Sequence, residues 1–118
     1  FRSLGCAQLE NLDRYVADKR ETAACYAEFF KGKEDITFFT EPADCKSNYW
    51  LNAVVLKDKA AQLDFLEYTN DHGVMTRPVW ELMNRLPMFE HCETDGLENT
   101  EWLADRVVNI PSSVRLDK

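Results

Sequence analysis

Residues 74–89, VMTRPVWELMNRLPMF, constrain the fold more than any other stretch of the chain. Pro78 and Pro87 each fix their own φ angle and bias the preceding residue toward extended geometry. Arg77 is therefore expected at the end of an extended segment, where the proline ring directs its guanidinium. A segment this apolar, aromatic and Met-rich is typical of the wall of a pocket or an interface. A core loop with a snorkelling arginine is the alternative that the pattern leaves open.

Length and charge narrow the class of protein. A chain of 118 residues with 45% hydrophobic residues is expected to form one globular domain. Fourteen Lys and Arg against 21 Asp and Glu give a net charge of −7, without a basic stripe, so no nucleic-acid partner is expected. The apolar runs are too short to span a bilayer, and no signal peptide is visible. We therefore expect no membrane association and a cytoplasmic location.

The first residue is Phe1 rather than Met, and no capping residue precedes Leu4. This start indicates a piece of a longer protein, with a processed or renumbered chain as the alternative. The four cysteines form no Cys-x-x-Cys pair, and we expect them to be reduced thiols. His91 and Cys92 are adjacent, which suits convergence on one ion poorly, so no metal site is expected.

The pattern of apolar residues predicts an α+β fold, in which helices pack on a small, mostly antiparallel sheet. One domain, 1–118, would contain a long helix over 4–31, the sheet and further helices over 36–110, and a polar tail over 112–118. The strands are predicted at 36–40, at 49–56 (central and buried on both faces), at 74–77 and, as a short edge strand, at 107–110. Asp58 is predicted to cap a helix over 59–71, and Asp95, with Glu98, to cap the last helix.

The sequence contains no recognisable catalytic motif. No glycine-rich phosphate loop, no Ser-His-Asp arrangement and no lysine in an apolar setting occurs, so no catalytic residue is assigned. Four residues are candidates for substrate binding. Arg77 could pair with a phosphate or carboxylate, Trp80 could wall a cleft, and the amides of Asn84 and Asn48 could bind hydroxyls. The alternatives are an ion pair, a core position and two turn residues.

Several motifs in order resemble the C-terminal small domain of the DegT/DnrJ/EryC1 sugar aminotransferases. The stretch LGCAQLENLDRYVADKRETAACY is similar to the family's long inter-domain helix. SNYWLNAVVL and GVMTRPVWELMNRLPMF are similar to its small-domain core, and WLADRVVNIPSS to its last helix and strand. The details RPVW, NRLPMF and NIPSS resemble the LegC-like branch most. The resemblance covers nearly the whole chain.

The resemblance implies the small domain of the aspartate-aminotransferase fold (fold type I of pyridoxal-phosphate enzymes). It also implies a homodimeric parent that aminates a 4-keto-6-deoxy nucleotide sugar in polysaccharide or glycan biosynthesis, with an amino acid as donor. The family's Schiff-base lysine and phosphate cup lie in the large domain, so no cofactor is expected on this chain, which we expect to be inactive alone. A free-standing binding module without catalysis is the alternative.

One departure from the family pattern concerns a proposed site residue. Many relatives carry Pro-x-His-x-x-Pro-x-Tyr where this chain has residues 82–89. Asn84 stands in the place of the histidine and Phe89 in the place of the tyrosine. A histidine role therefore does not carry over, and Asn84 is left as a hydrogen-bonding substitute at a sugar site.

Overall fold

The computed structural model describes residues 2–115, with side chains from Leu4 onward. Its elements, in chain order, are α1 (Arg2–Glu10), α2 (Leu12–Phe30), β1 (Ile36–Phe38), β2 (Asn52–Leu56), α3 (Lys59–Asp71), β3 (Arg77–Pro78), a 3-10 turn (Met83–Arg85), α4 (Glu98–Ala104) and β4 (Val107–Ile110). The four strands form one antiparallel sheet in the order β1-β2-β4-β3. The predicted α+β class is confirmed.

The hydrophobic core lies against one face of the sheet. Phe38, Val54 and Val108 stand opposite one another across β1, β2 and β4, and all three are buried. Helices α2 and α3 supply the apolar side chains packed against them, namely Ala23, Tyr26, Ala27, Phe30, Ala61, Phe65 and Leu66. Full burial of one such aliphatic side chain stabilises a fold by about 1.5–3 kcal/mol. The opposite face of β2 is only half-buried, so the prediction that this strand is buried on both faces is wrong.

The long helix predicted over 4–31 is two helices with a one-residue interruption at Asn11. The side-chain amide of Asn11 donates to the carbonyl of Ala7 at 2.9 Å, and its backbone turns to φ −104°, ψ 1°. An Asn side chain competes in this way with the helical hydrogen bonds. After α2, Gly32 adopts φ +76°, a left-handed conformation that glycine takes without steric cost and that ends the helix.

Three predicted strands are shorter than expected. The strand predicted over 36–40 ends at Phe38, and in the other two, side chains of neighbouring residues hold the backbone. The strand predicted from Tyr49 begins at Asn52, since Asn48 accepts the N–H of Trp50 at 3.0 Å and forms a turn. The strand predicted over 74–77 is limited to Arg77–Pro78. The residues before it are bonded to the end of α3, where Thr69 meets the hydroxyl of Thr76 at 2.6 Å.

Strand β4 occupies the interior of the sheet, between β2 and β3, and not the edge where the sequence placed it. It pairs with β2 over its whole length, while its other side receives β3. The error has a physical source: Pro78 has no N–H to donate to a ladder, which confines β3 to the edge and leaves the interior position to β4. Polar contacts from α3 also fix β4, since the buried amide of Gln62 donates to the carbonyl of Val107 at 2.9 Å.

The two predicted helix caps differ in outcome. Asp58 accepts the N–H of Ala61 at 2.8 Å, which confirms the cap of α3. The cap of the last helix is wrong, because α4 begins after Leu97, and Asp95 accepts the N–H of Leu97 instead. Gly96, at φ +100°, carries the turn between them.

The remaining expectations concern the cysteines, a metal site, a membrane-spanning helix and the polar tail. All four cysteines, Cys6, Cys25, Cys45 and Cys92, are free and exposed. Within residues 2–115 no group of His, Cys, Asp and Glu side chains could hold a metal ion, and no helix is long and apolar enough to cross a membrane. Of the predicted tail, residues 112–115 extend along α2 without regular structure, and residues 116–118 lie outside the described part of the chain.

Candidate functional site

An open cleft of about 800 Å³ lies at one end of the sheet, where β2 and β3 begin and β4 ends. Its volume is in the range typical of small-molecule sites. The residues that line it come from α2, the start of β2, the β3 segment and the end of β4: Lys19, Trp50, Leu51, Met75, Arg77, Pro78, Trp80, Asn109, Ile110, Pro111, Ser112 and Ser113. Four separate segments of chain thus meet around one opening.

Two of the four predicted substrate-binding residues, Arg77 and Trp80, lie together in this cleft. Arg77 is exposed on the edge strand, opposite Asn109, and within residues 2–115 the hydrogen bond of its guanidinium is to the sulfur of Met75, at 3.6 Å. Trp80 is 70% exposed and stacks on Trp50, with ring centroids 6.4 Å apart and planes at 27°. Trp50 is itself 65% exposed, so the pair presents a wide aromatic surface to the cleft.

Lys19 is a cleft residue that the sequence did not assign. It projects from α2, and its ammonium donates to the carbonyls of Ser112, at 2.5 Å, and of Trp50, at 3.3 Å. These two bonds join the start of β2 to the segment after β4. The signal for Lys19 in the sequence was the polar break at Lys19–Arg20 within the apolar pattern of the helix. Trp50 carried no such signal, because it read as part of a strand.

The cleft is positively charged although the protein is not. Lys19 and Arg77 carry its two formal charges, and among residues 2–115 no Asp or Glu lines it. The whole chain carries a net charge of −7. A positively charged cleft in a negatively charged protein focuses the electrostatic field and raises the local concentration of negatively charged ligands. An anion is the ligand that this arrangement attracts.

A second arginine, Arg20, follows Lys19 on α2. Unlike Arg77, it is bound to a carboxylate of the protein. Arg20 makes a two-pronged ion pair with Glu41, at 2.6 and 3.0 Å, and also donates to the carbonyl of Ser47. Its guanidinium lies 5.6 Å from the ring centroid of Tyr49. The hydrogen bond from Arg20, with one from the N–H of Ser47, lowers the pKa of Glu41 to about 2. We call these four residues the loop clamp, because they fix residues 41–49 against α2.

The other two predicted site residues lie outside the cleft. The carbonyl oxygen of the Asn48 side chain accepts the N–H of Trp50, so part of its hydrogen-bonding capacity is used inside the turn. Asn84 lies in the 3-10 turn and lines a separate, smaller cavity of about 420 Å³. Leu82, Phe89 and Leu97 line the same cavity, and Glu81 and Glu93 lie at it as well. The tertiary structure therefore divides the four predicted residues between three places.

Pyridoxal phosphate, which the resemblance implies, does not fit the described residues of this chain. A Schiff base requires a lysine amine free of other partners. Lys19 is bonded to two carbonyls, and the other described lysines are exposed at the surface. No glycine-rich loop is present to bind the phosphate. Residues 2–115 provide walls and charges for a ligand, but their lysines and loops do not form a site for that cofactor.

Comparisons with known proteins agree with the motifs. The sequence model of the DegT/DnrJ/EryC1/StrS aminotransferase family matches residues 2–118. EpsN of Bacillus subtilis (strain 168), named provisionally as a pyridoxal phosphate-dependent aminotransferase, is 28% identical over 113 residues, which span 92% of this chain and 29% of that protein. The GDP-perosamine synthase of Vibrio cholerae is 25% identical over 113 residues, or 93% of this chain and 30% of that protein.

A solved structure shows the same fold. The aminotransferase TlmJ from Streptoalloteichus hindustanus superposes with a TM-score of 0.87 at 22% identity, covering 98% of this chain and 31% of that one. The chain therefore spans about a third of the length of the proteins that it matches.

Proposed function

The chain belongs to the DegT/DnrJ/EryC1/StrS aminotransferase family, and on that premise we propose that it is the small domain of an enzyme that aminates a nucleotide sugar. The substrate is a nucleotide-linked 4-keto-6-deoxy sugar, the amino donor is an amino acid such as glutamate, and the product serves polysaccharide or glycan biosynthesis. The parent enzyme works in the cytoplasm as a homodimer. The resemblance points to the LegC-like branch of the family. Identifying the substrate would test that assignment.

The cleft is the observation that supports this function most directly. Arg77 provides a cation that forms no ion pair with a carboxylate among residues 2–115, and Trp80 and Trp50 provide a flat apolar wall in the same cleft. Sugar rings and nucleotide bases pack on aromatic surfaces, and phosphates pair with guanidinium groups. We assign Arg77 and Trp80 to the wall of the substrate site. Asn48 and Asn84 lie outside the cleft and are not part of this assignment.

The part of this chain in the reaction is binding and orientation. Pyridoxal phosphate, when bound to the parent, supplies the carbonyl that takes up and releases nitrogen. None of the described residues forms a site for it, so the proposal assigns them no proton transfer and no nucleophile. Holding the sugar nucleotide in one orientation is itself a catalytic contribution, because it removes the entropy of encounter from the reacting step.

The first test is to read the encoding gene upstream of Phe1. An in-frame extension with a strand-flanked lysine and a Gly/Ser-rich phosphate cup supports the proposal. The protein from the complete reading frame is then incubated with pyridoxal phosphate, glutamate and GDP- or UDP-linked 4-keto-6-deoxy sugars. Mass spectrometry detects the aminated sugar nucleotide, and light scattering gives the mass of the dimer.

Two results contradict the proposal. A start codon directly before Phe1, with a folded monomer of 118 residues, favours a free-standing binding module. A complete protein that binds pyridoxal phosphate but aminates none of these sugars excludes the proposed substrate class. For the isolated chain we expect no activity and no stable absorbance band of bound pyridoxal phosphate, and such a band would contradict that expectation.

A further inference from the structure

We infer that Thr76 is a positioning residue of the substrate site, because hydrogen bonds to its buried side chain set the register of β3 and thereby direct Arg77 into the cleft. The bonds come from Thr69 and Asn70, near the end of α3, and we call Thr69, Asn70 and Thr76 the threonine anchor. In this role Thr76 acts through its neighbour and not by touching the substrate. The inference rests on the proposed function, since it takes Arg77 as a residue of the substrate site.

The side chains of residues 75–77 alternate between the cleft and the interior of the protein. Met75 and Arg77 line the cleft, whereas Thr76, between them, is only 5% exposed. Successive side chains of an extended chain point to opposite faces. The buried position of Thr76 and the cleft position of Arg77 therefore follow from one choice of register, and a shift by one residue would exchange them.

Strand pairing alone holds this register weakly. Strand β3 has two residues, Arg77 and Pro78, which face Asn109 and Val108 of β4. Pro78 has no N–H for the ladder, and the side-chain amide of Asn109 reaches the carbonyl of Pro78 only at 3.4 Å. Pro78 also restricts Arg77 to extended geometry, but it does not decide to which face the side chain points. The register therefore depends on the residue before Arg77.

The threonine anchor fixes that residue through a continuous chain of hydrogen bonds. The carbonyl of Phe65 can only accept, so the Thr69 hydroxyl donates to it, at 2.7 Å. The Thr76 hydroxyl, 2.6 Å from that of Thr69, then donates to Thr69 and accepts the side-chain N–H of Asn70 at 3.0 Å. The Asn70 side chain also donates to the Thr76 carbonyl, at 3.1 Å, and accepts the Thr76 N–H, at 3.4 Å. Every polar group of Thr76 thus has a partner on α3.

The direction of Arg77 depends on this anchor, because no carboxylate among the described residues directs its guanidinium. Its hydrogen bond within residues 2–115 is to the sulfur of Met75, a weak acceptor, at 3.6 Å. Arg20 is the contrast, since its two-pronged ion pair with Glu41 fixes the guanidinium directly. The guanidinium of Arg77 therefore lies where the backbone places it. A misplacement of about 1 Å in a substrate-positioning group can cost a factor of about 100 in rate.

The test is an isosteric substitution in the protein from the complete reading frame. Thr76→Val keeps the shape of the side chain and removes the hydroxyl, and it should raise KM for the sugar nucleotide about tenfold with a smaller change in kcat. Thr76→Ser keeps the hydroxyl and should restore most of the affinity. Thr22→Val is the matched control and should leave KM unchanged, because the buried hydroxyl oxygen of Thr22 has no hydrogen-bond partner among the described residues.

A double-mutant cycle shows whether Thr76 acts through Arg77. If it does, Thr76→Val should add little to the loss in kcat/KM that Arg77→Gln causes alone, since the contact is already gone. Effects that multiply would mean that Thr76 acts by another route, and they would overturn the inference. Thermal denaturation sets an assay temperature at which every variant is folded. If Thr76→Val does not fold, Thr69→Val breaks the same hydroxyl pair from the side of α3 and takes its place in the cycle.

Failure of this inference is distinguishable from failure of the proposed function. A raised KM in the Arg77→Gln enzyme, beside an unchanged KM in a folded Thr76→Val enzyme, would overturn the inference and leave the proposed function standing. Equal changes in KM for Thr76→Val and Thr22→Val would do the same, since loss of any buried hydroxyl would then explain them. A complete protein that aminates none of the proposed sugars would instead contradict the proposed function and remove the premise of this inference.

Discussion

The loop clamp and the cleft each combine aromatic rings with an arginine, and they differ in the contacts that matter for binding. In the loop clamp, Arg20 is bonded to Glu41, and the ring beneath it, Tyr49, stacks on the buried Phe38. In the cleft, Arg77 is hydrogen-bonded to a methionine sulfur and to no carboxylate of the described residues, and the stacked rings are exposed. An arginine and aromatic rings stabilise the fold where they bind other residues of the protein, as in the loop clamp. They are available to a ligand where they remain exposed, as in the cleft.

The largest expected effect is on the free energy of unfolding when an aromatic ring is removed from the core. Phe38→Ala should lower the free energy of unfolding by about 3–5 kcal/mol, because it removes a buried ring from the core. Trp80→Ala removes a larger ring that is 70% exposed, and should change stability by no more than about 0.5 kcal/mol. Urea denaturation followed by circular dichroism measures both. Comparable losses in the two variants would remove the distinction between the clusters.

The arginines should separate stability from activity. Arg20→Gln leaves Glu41 without its partner, and we expect a clear fall in the unfolding temperature. Arg77→Gln should leave that temperature unchanged and lower kcat/KM for the sugar nucleotide about tenfold or more in the parent enzyme. Thermal denaturation and steady-state kinetics on the same preparations provide the check. Unchanged kinetics in the Arg77→Gln enzyme would remove this residue from the site.

The stability contributed by the loop clamp should also depend on pH. The pKa of Glu41 is lowered from 4.5 to about 2, so its contribution to stability is complete above about pH 4.5 and disappears as the pH falls toward 2. The difference in unfolding temperature between the unmodified protein and Glu41→Gln should therefore shrink across this range. Glu34→Gln, at an exposed position, is the control. A difference that stays constant with pH would mean that the carboxylate charge does not hold the loop.

The smallest effect is expected at Asn48, which lies in the segment that the loop clamp holds, two residues before Trp50 of the cleft. Its side chain accepts the N–H of Trp50, and Asn48→Ala should cost about 0.5–1 kcal/mol of stability. Asn48→Asp keeps the acceptor and is the conservative partner variant. Denaturation curves and KM are measured for both. A large rise in KM with unchanged stability would return Asn48 to the list of substrate contacts.

The sequence predicted the fold class and most of the elements, and its errors have local causes. Asn11 interrupts the long helix, Asn48 and Thr76 shorten two strands, and Gly96 shifts the start of the last helix. In each case a side-chain hydrogen bond or a left-handed residue changes a boundary, and apolar periodicity does not report such features. The edge or interior position of β4 depends on pairing with residues far away in sequence.

The candidate site was predicted in part, through residues that carry their own constraint. Arg77 beside Pro78, and Trp80 after it, stood out because proline limits the backbone there. Lys19 did not, because a lysine on a helix usually belongs to the solvated face. Its place in the cleft depends on Ser112, 93 residues away, whose carbonyl it binds.

The sequence by itself determined the family, the α+β class and the excess of acidic charge, because order of motifs, periodicity and composition are properties of the chain. Only the tertiary structure decided which charges remain available. Lys19 and Arg20 are adjacent on one helix, yet one lines the cleft and the other is neutralised by Glu41. That difference arises from which distant segments pack beside each side chain, since an ion pair depends on separation in space and not along the sequence.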